Sequence, residues 1–193
     1  RSILRSRWFR VVISAALRAQ DLGLDHMAWL FADATRVFFW LTRNSVEWPA
    51  VAAAAVAAAR RCGGLRERAI ALFSLGVAHM CSAGYRASIQ AYLEALPLVR
   101  EAGWADAEAA CLANLGVLHL ELGENRLAGQ EFGSVVELYR ELDMPAQEAL
   151  HLASLASVHL RAGKLEQAAS YSAASAAKFG EIDVPAIAVV AQV

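Results

Sequence analysis

Aromatic residues make up only 8% of this chain, and its 193 residues include just four prolines. Strands favour Val, Ile, Thr and aromatics, so a sheet is a poor fit to such a composition. The three cysteines, Cys62, Cys81 and Cys111, are an odd set without Cys-x-x-Cys spacing. They indicate neither a disulfide framework nor a zinc site, and they suit reduced thiols in a cytoplasmic protein. Positive charge is not in excess: 18 Lys and Arg against 19 Asp and Glu leave a net charge of -1. A domain that grips phosphates alone is normally basic, so direct nucleic-acid binding loses its electrostatic basis. The local exception is Arg1, Arg5, Arg7 and Arg10, which read as a basic helix end or as a docking patch.

Long apolar runs are missing as well. The longest uncharged stretch, Ala69 to Tyr85, is interrupted by Ser74, His79, Ser82 and two glycines, so no membrane-spanning helix is expected. No secretory signal opens the chain. No Gly-rich loop ends in Lys-Ser or Lys-Thr to hold a phosphate. The chain starts at Arg1 and stops inside an apolar run, as an excised fragment would.

Alanine is what the chain has in plenty, within a hydrophobic fraction of 58%. It is the best helix former, and its short side chain lets helices approach closely. The apolar residues also recur in a long period. Leu75-Gly76-Val77-Ala78-His79 returns as Leu115-Gly116-Val117-Leu118-His119 and as Leu155-Ala156-Ser157-Val158-His159, offsets of 115-75 = 40 and 155-115 = 40. Ala83, Gly123 and Gly163 keep that register, as do Tyr92 with Phe132, Arg100 with Arg140, and Pro145 with Pro185. Gly23, Gly63 and Gly103 share a position, and so do Trp8 and Trp48.

Each period reads as two helices. In one unit these run from about Ala69 to Cys81 and from about Ala87 to Glu101, with a turn at Ala83-Gly84 and a left-handed stop at Gly103. Pro145 suits the first turn of a following helix, where its missing N–H costs nothing. The chain then parses as a half-unit at 1–23, units at 24–63, 64–103, 104–143 and 144–183, and a trailing helix start at 184–193. A single unit cannot bury its own apolar face, so stacking must supply the core. Small residues at Gly76, Gly116 and Ala156 fall mid-helix, where a glycine is kept when another helix packs on its backbone.

The stretch from Leu115-Gly116 through His119, Gly123 and Ala128 to Phe132 resembles the tetratricopeptide signature, over a longer unit than the usual one of about 34 residues. The fold expected is an all-α solenoid of antiparallel helix pairs with a 40-residue repeat. The first unit departs from the signature at Arg43 and Trp48, and the last at Ser172. A narrower resemblance lies in Ala28-Trp29-Leu30, Phe38-Phe39-Trp40-Leu41, Glu47-Trp48 and the Ala-rich stretch from Val51 to Arg60. It is similar to the C-terminal sensor region of actinobacterial antibiotic regulatory proteins and signal-transduction NTPases, which implies a sensor or coupling role.

Two constellations could suggest chemistry. Equal spacing sets His79, His119 and His159 in a ladder, but equivalent sites in stacked pairs lie about 10 Å apart, too far to share one zinc ion. Cys111 and His151 occupy equivalent repeat positions, and Cys81 lies two residues from His79, a spacing that gives no thiolate–imidazole contact on a helix. Core packing between helices is the simpler role for all of them. No metal, cofactor or catalytic residue is expected.

The tetratricopeptide resemblance places a concave face on the first helix of each unit. Asp33, Val37 and Trp40 supply it from one unit, and Phe73, Val77 and Met80 from the next. Val117, Leu120 and Glu121 follow, then Ser157, Leu160 and Arg161. Of the basic and amide side chains that clamp a C-terminal carboxylate in this family, only Asn114 has a match. Arg140 belongs to the opposite, convex side. An apolar groove with charges at its rim fits an amphipathic helix or hydrophobic peptide, from another protein or from other domains of the same chain. The function expected is a non-catalytic interaction or sensing scaffold within a transcriptional regulator. A small-molecule receptor using the same groove is the alternative.

Overall fold

The computed structural model describes residues 2–42 and 46–182, with the side chains of 2–9 and 42 excepted. The expectations for Trp8, Arg43, Pro185, the segment 184–193 and the arginines at 1, 5 and 7 lie outside what is described. Among the described residues every regular element is an α-helix. They are α1 Ser2–Asp21, α2 Asp25–Thr42, α3 Trp48–Cys62, α4 Leu65–Cys81, α5 Tyr85–Glu101, α6 Ala105–Glu121, α7 Asn125–Glu141, α8 Pro145–Arg161 and α9 Leu165–Glu181. Helix starts at Leu65, Ala105 and Pro145 repeat at the interval read from the sequence, as do those at Tyr85, Asn125 and Leu165. The fold is an all-α solenoid of helix pairs. Helices α4 and α5 begin earlier than expected because their first turns, with Arg66, Glu67 and Arg68 on one and Arg86 on the other, are charged. Charge hides the apolar period there. Pro145 opens α8, as its lost N–H allows.

The helices gather into two compact units, Arg1–Trp104 and Ala105–Val193. Within the first, Trp48 is 2% exposed and stacks on Phe39, with ring centres 5.7 Å apart. Its Nε1–H donates to Ser74 Oγ at 3.3 Å, so one indole ties α2, α3 and α4. Mid-helix Gly76 lies under the ring of Tyr92, where a Cβ would come within 2.7 Å of Cζ. Ser88 Oγ donates to the Gly76 carbonyl at 2.7 Å. In the second unit Gly116 meets Phe132 in the same way, inside a cluster with Ala128, Val136, Leu152, Leu155 and Val158.

The turns close with a left-handed residue after the helix end, at Gly23, Ala83, Gly103, Gly123, Asp143 and Gly163, with φ between 53° and 75°. Gly63 departs from that register: it is extended, with φ -95° and ψ 151°, and a side chain there would strike the Ala59 carbonyl at 2.8 Å. Ala83 has φ 58°, a conformation that costs an L-residue about 1–2 kcal/mol. Ala83→Gly should therefore stabilise the chain by about 0.5–1 kcal/mol, part of the relief being offset by glycine's freer unfolded chain. Gly123→Ala should do the reverse, since its Cβ would meet nothing within 4 Å and only φ is at stake. Urea titrations of the parent and the two variants check both, and equal midpoints for all three proteins would refute the strain.

Candidate partner-binding faces

In the first unit, α2 and α4 carry the expected face residues. Val37 and Trp40 on α2 are 56% and 45% exposed. Asp33 is half-buried and accepts from Arg36 Nε at 3.3 Å. On α4, Phe73 and Met80 are half-buried, and the Phe73 ring lies edge-on to Tyr92 at 5.4 Å. Val77 differs from expectation. It is 8% exposed and belongs to the core, so it offers a partner almost nothing.

In the second unit, Val117 on α6 and Leu160 on α8 are 43% and 59% exposed. Leu120 is half-buried and packs on the Phe132 cluster. Glu121 and Arg161 face each other at 3.5 Å, and Arg161 Nη1 donates to the Leu120 carbonyl at 2.7 Å. Arg161 thus caps the C-terminal end of α6 and is committed to the fold, with its cation at the negative end of the helix dipole. Ser157 is exposed but returns its hydroxyl proton to the Ala153 carbonyl at 3.1 Å. The sequence reading missed Leu150, which is 48% exposed. The spacing Leu150, Ala153, Ser157, Leu160 is three, four, three and would have revealed it.

The histidine ladder separates into three local environments. His119 is buried, with Nε2 3.9 Å from Glu124 Oε2. His159 stacks on Tyr171 at 5.1 Å, and His79 is half-buried at the last turn of α4. Among the described residues no three His, Cys, Asp or Glu side chains come together to hold a metal ion. His151 stacks flat on Tyr139 at 5.5 Å, and burial pulls its pKa below the ordinary imidazole value, which keeps it neutral near pH 7. Burial, with help from the Glu108 charge, pushes the Cys111 thiol up to about 12. A thiol held protonated to that extent is a poor nucleophile.

A cleft of about 430 Å³ lies on another side of the first unit, between α3, α4 and α5. Ala53, Val56, Leu72, Leu75 and Ala91 line it, and the Arg60–Glu94 ion pair borders it. None of the twelve expected face residues takes part. No described helix is long and apolar enough to cross a membrane.

No protein-family model matches the chain, and no curated protein does. Solved structures do. A signal transduction ATPase with numerous domains from Pyrococcus horikoshii, with a tetratricopeptide repeat sensor, aligns with a TM-score of 0.73 at 13% identity over 80% of this chain. This chain spans 24% of that protein's length. The apo form of RapI aligns with a TM-score of 0.71 at 13% identity, over 90% of this chain and 70% of that one. A Rap protein complexed with Competence and Sporulation Factor aligns at 0.66 and 17% identity, over 92% of this chain and 52% of that one. These likenesses show a tetratricopeptide-type helical repeat fold.

Proposed function

We propose that this chain is a non-catalytic scaffold, the sensing or partner-binding repeat region of a larger regulator, which takes a peptide or partner helix on the exposed faces of its first helices. The repeat units proposed for it are the half-unit 1–23 and the units 24–63, 64–103, 104–143 and 144–183. One observation carries the reading. Large apolar side chains stand exposed on first helices of both units, at Val37 and Trp40, three residues apart on α2, at Val117 on α6, and at Leu150 and Leu160 on α8. Exposed apolar residues grouped in this way mark interaction sites in soluble proteins. The neighbours fit it: one contains a sensor built of these repeats, and a Rap protein has been crystallised with Competence and Sporulation Factor. The place in an actinobacterial regulator rests on the residues from Ala28 to Arg60. The neutral His151 and the protonated Cys111 are consistent with a role without catalysis.

Selection from a displayed library of 16-residue peptides, an arbitrary length of about four helical turns, tests the reading. Peptides with apolar residues at i, i+3 or i+4, and i+7 should emerge. Trp40→Ala or Leu160→Glu should weaken them by about 1–3 kcal/mol, as anchor residues do, with thermal melts unchanged. Peptides that bind both variants as well as the parent would sink the assignment.

A further inference from the structure

The cleft between α3, α4 and α5 lies at a repeat position that the second unit fills. From α3 and α5 it is lined at a constant offset by Ala53 with Ala87, Ala57 with Ala91, and Arg60 with Glu94 (87-53 = 91-57 = 94-60 = 34). The last of these is an ion pair that bridges the two helices and closes one end. Leu72 and Leu75 of α4 form the floor. Eighty residues on, α7, α8 and α9 hold the same register inside the second unit, and Ala91 becomes Tyr171 (171-91 = 80). Tyr171 packs against the buried cluster that contains Leu152 and Leu155, and Leu155 is 5% exposed. Its counterpart Leu75 is only half-buried and lines the cleft. The chain itself thus shows what covers this position when it is covered: one aromatic ring.

We propose that the cleft binds a small neutral aromatic molecule of one or two rings, seated over Leu75 as Tyr171 is seated in the second unit. The size fits. A volume of about 430 Å³ falls within the usual range of small-molecule pockets, about 300–1,000 Å³. Covering Leu75 with a ring removes apolar surface from water on both sides, which is the driving force available here. Charge sets the class. The ionisable groups lining the cleft, Arg60 and Glu94, neutralise each other. A charged ligand would give up hydration to meet an apolar floor with no spare counter-charge. The Gln90 amide on the same wall can give or take a hydrogen bond, which suits one hydroxyl or amide on the ring. Shape favours a compact molecule over a partner helix, because the Arg60–Glu94 bridge blocks one end of the channel.

This cleft shares no residue with the faces proposed for peptide binding, so the two readings fail separately. The probe is 4-methylphenol, which carries the ring and hydroxyl of a tyrosine side chain. Titrated into the whole chain labelled at its Leu and Ala methyl groups, it should move the Leu72, Leu75 and Ala91 signals in one saturable step. A dissociation constant at or below about 1 mM is expected for so few atoms. Ala91→Tyr supplies the ring from within the chain, so it should weaken the probe by about tenfold or more and raise the melting temperature. Ala87→Phe, at an exposed position, should weaken the probe to a similar extent with the melt unchanged. The charged analogue 4-methylbenzoate should bind about tenfold more weakly than 4-methylphenol. Methyl signals that never move overturn the proposal, and so does binding that survives both substitutions. Movement confined to Leu150 and Leu160 overturns it by placing the ring on the peptide face. A tyrosine-containing peptide that moves the cleft signals when 4-methylphenol does not would overturn it by giving the cleft to a partner protein.

Discussion

Gly116→Ala is expected to destabilise the second unit by about 1–3 kcal/mol, the usual cost of overpacking a well-filled core. The sign is what makes the experiment informative. Alanine is the better helix former by about 1 kcal/mol in a helix interior, so helix propensity alone predicts a gain. Packing opposes it. A Cβ on Gly116 would come within 2.9 Å of Cε1 and Cζ of Phe132, and that ring is 2% exposed. A phenyl ring held among Ala128, Val136, Leu152, Leu155 and Val158 has little room to retreat. The same substitution in a Phe132→Ala background should therefore cost little or become favourable. The coupling between the two changes should reach at least about 1 kcal/mol in a double-mutant cycle. Additive effects would show that the glycine is not a socket for the ring.

The chain supplies its own controls for this pair. Sixteen residues separate Gly76 from Tyr92, Gly116 from Phe132 and Ala156 from Ser172 (92-76 = 132-116 = 172-156 = 16). Glycine lies against each aromatic ring, and where the register has serine it has alanine in the glycine's place. This part of the fold was legible in the sequence because period and residue size point the same way. So were the left-handed stop at Gly103 and the helix start at Pro145. The binding faces were less legible. Val77 and Val117 share a register, yet one is 8% exposed and the other 43%. Register gives the direction of a side chain and not what a neighbouring helix lays over it. Arg161 read as a rim charge because nothing local in the sequence says that its guanidinium reaches the Leu120 carbonyl at the end of another helix. Met27, Leu30 and Leu41 on α2, 46%, 43% and 75% exposed, went unread for the opposite reason: an apolar helix gives no sign of which of its apolar sides is covered.

Glu148 shows how little a register position says about what surrounds a charge. At the start of α8 it reads as an ordinary first-turn acid, and Arg140 as a convex-side bystander. In the structure the Glu148 side chain is 3% exposed and accepts from Arg140 on α7 at 2.9 Å and from Lys178 on α9 at 2.6 Å. The two cations are 59% and 33% exposed, so the carboxylate is the member that depends on the pairing. Arg140→Ala together with Lys178→Ala should cost about 3–5 kcal/mol at pH 7, because a buried charge is left without partners. Each single change should cost less.

The pH dependence separates this from lost packing. Burial raises the Glu148 pKa, but the hydrogen bonds from Lys178 and Arg140 outweigh it and hold the folded value below the ordinary 4.5. A lowered folded pKa means stability that is present above the unfolded value and lost as pH falls through the folded one. In the double variant burial acts alone, so the folded carboxyl binds its proton more readily than the unfolded one. Acidification should then favour that variant while it weakens the parent. The gap between their urea midpoints is expected to narrow steadily from pH 7 towards pH 4, and Glu148→Gln should recover much of the loss in the variant at pH 7. A gap that stays constant across that range would mean that Arg140 and Lys178 stabilise the unit by packing their aliphatic stems, with no part played by the buried charge.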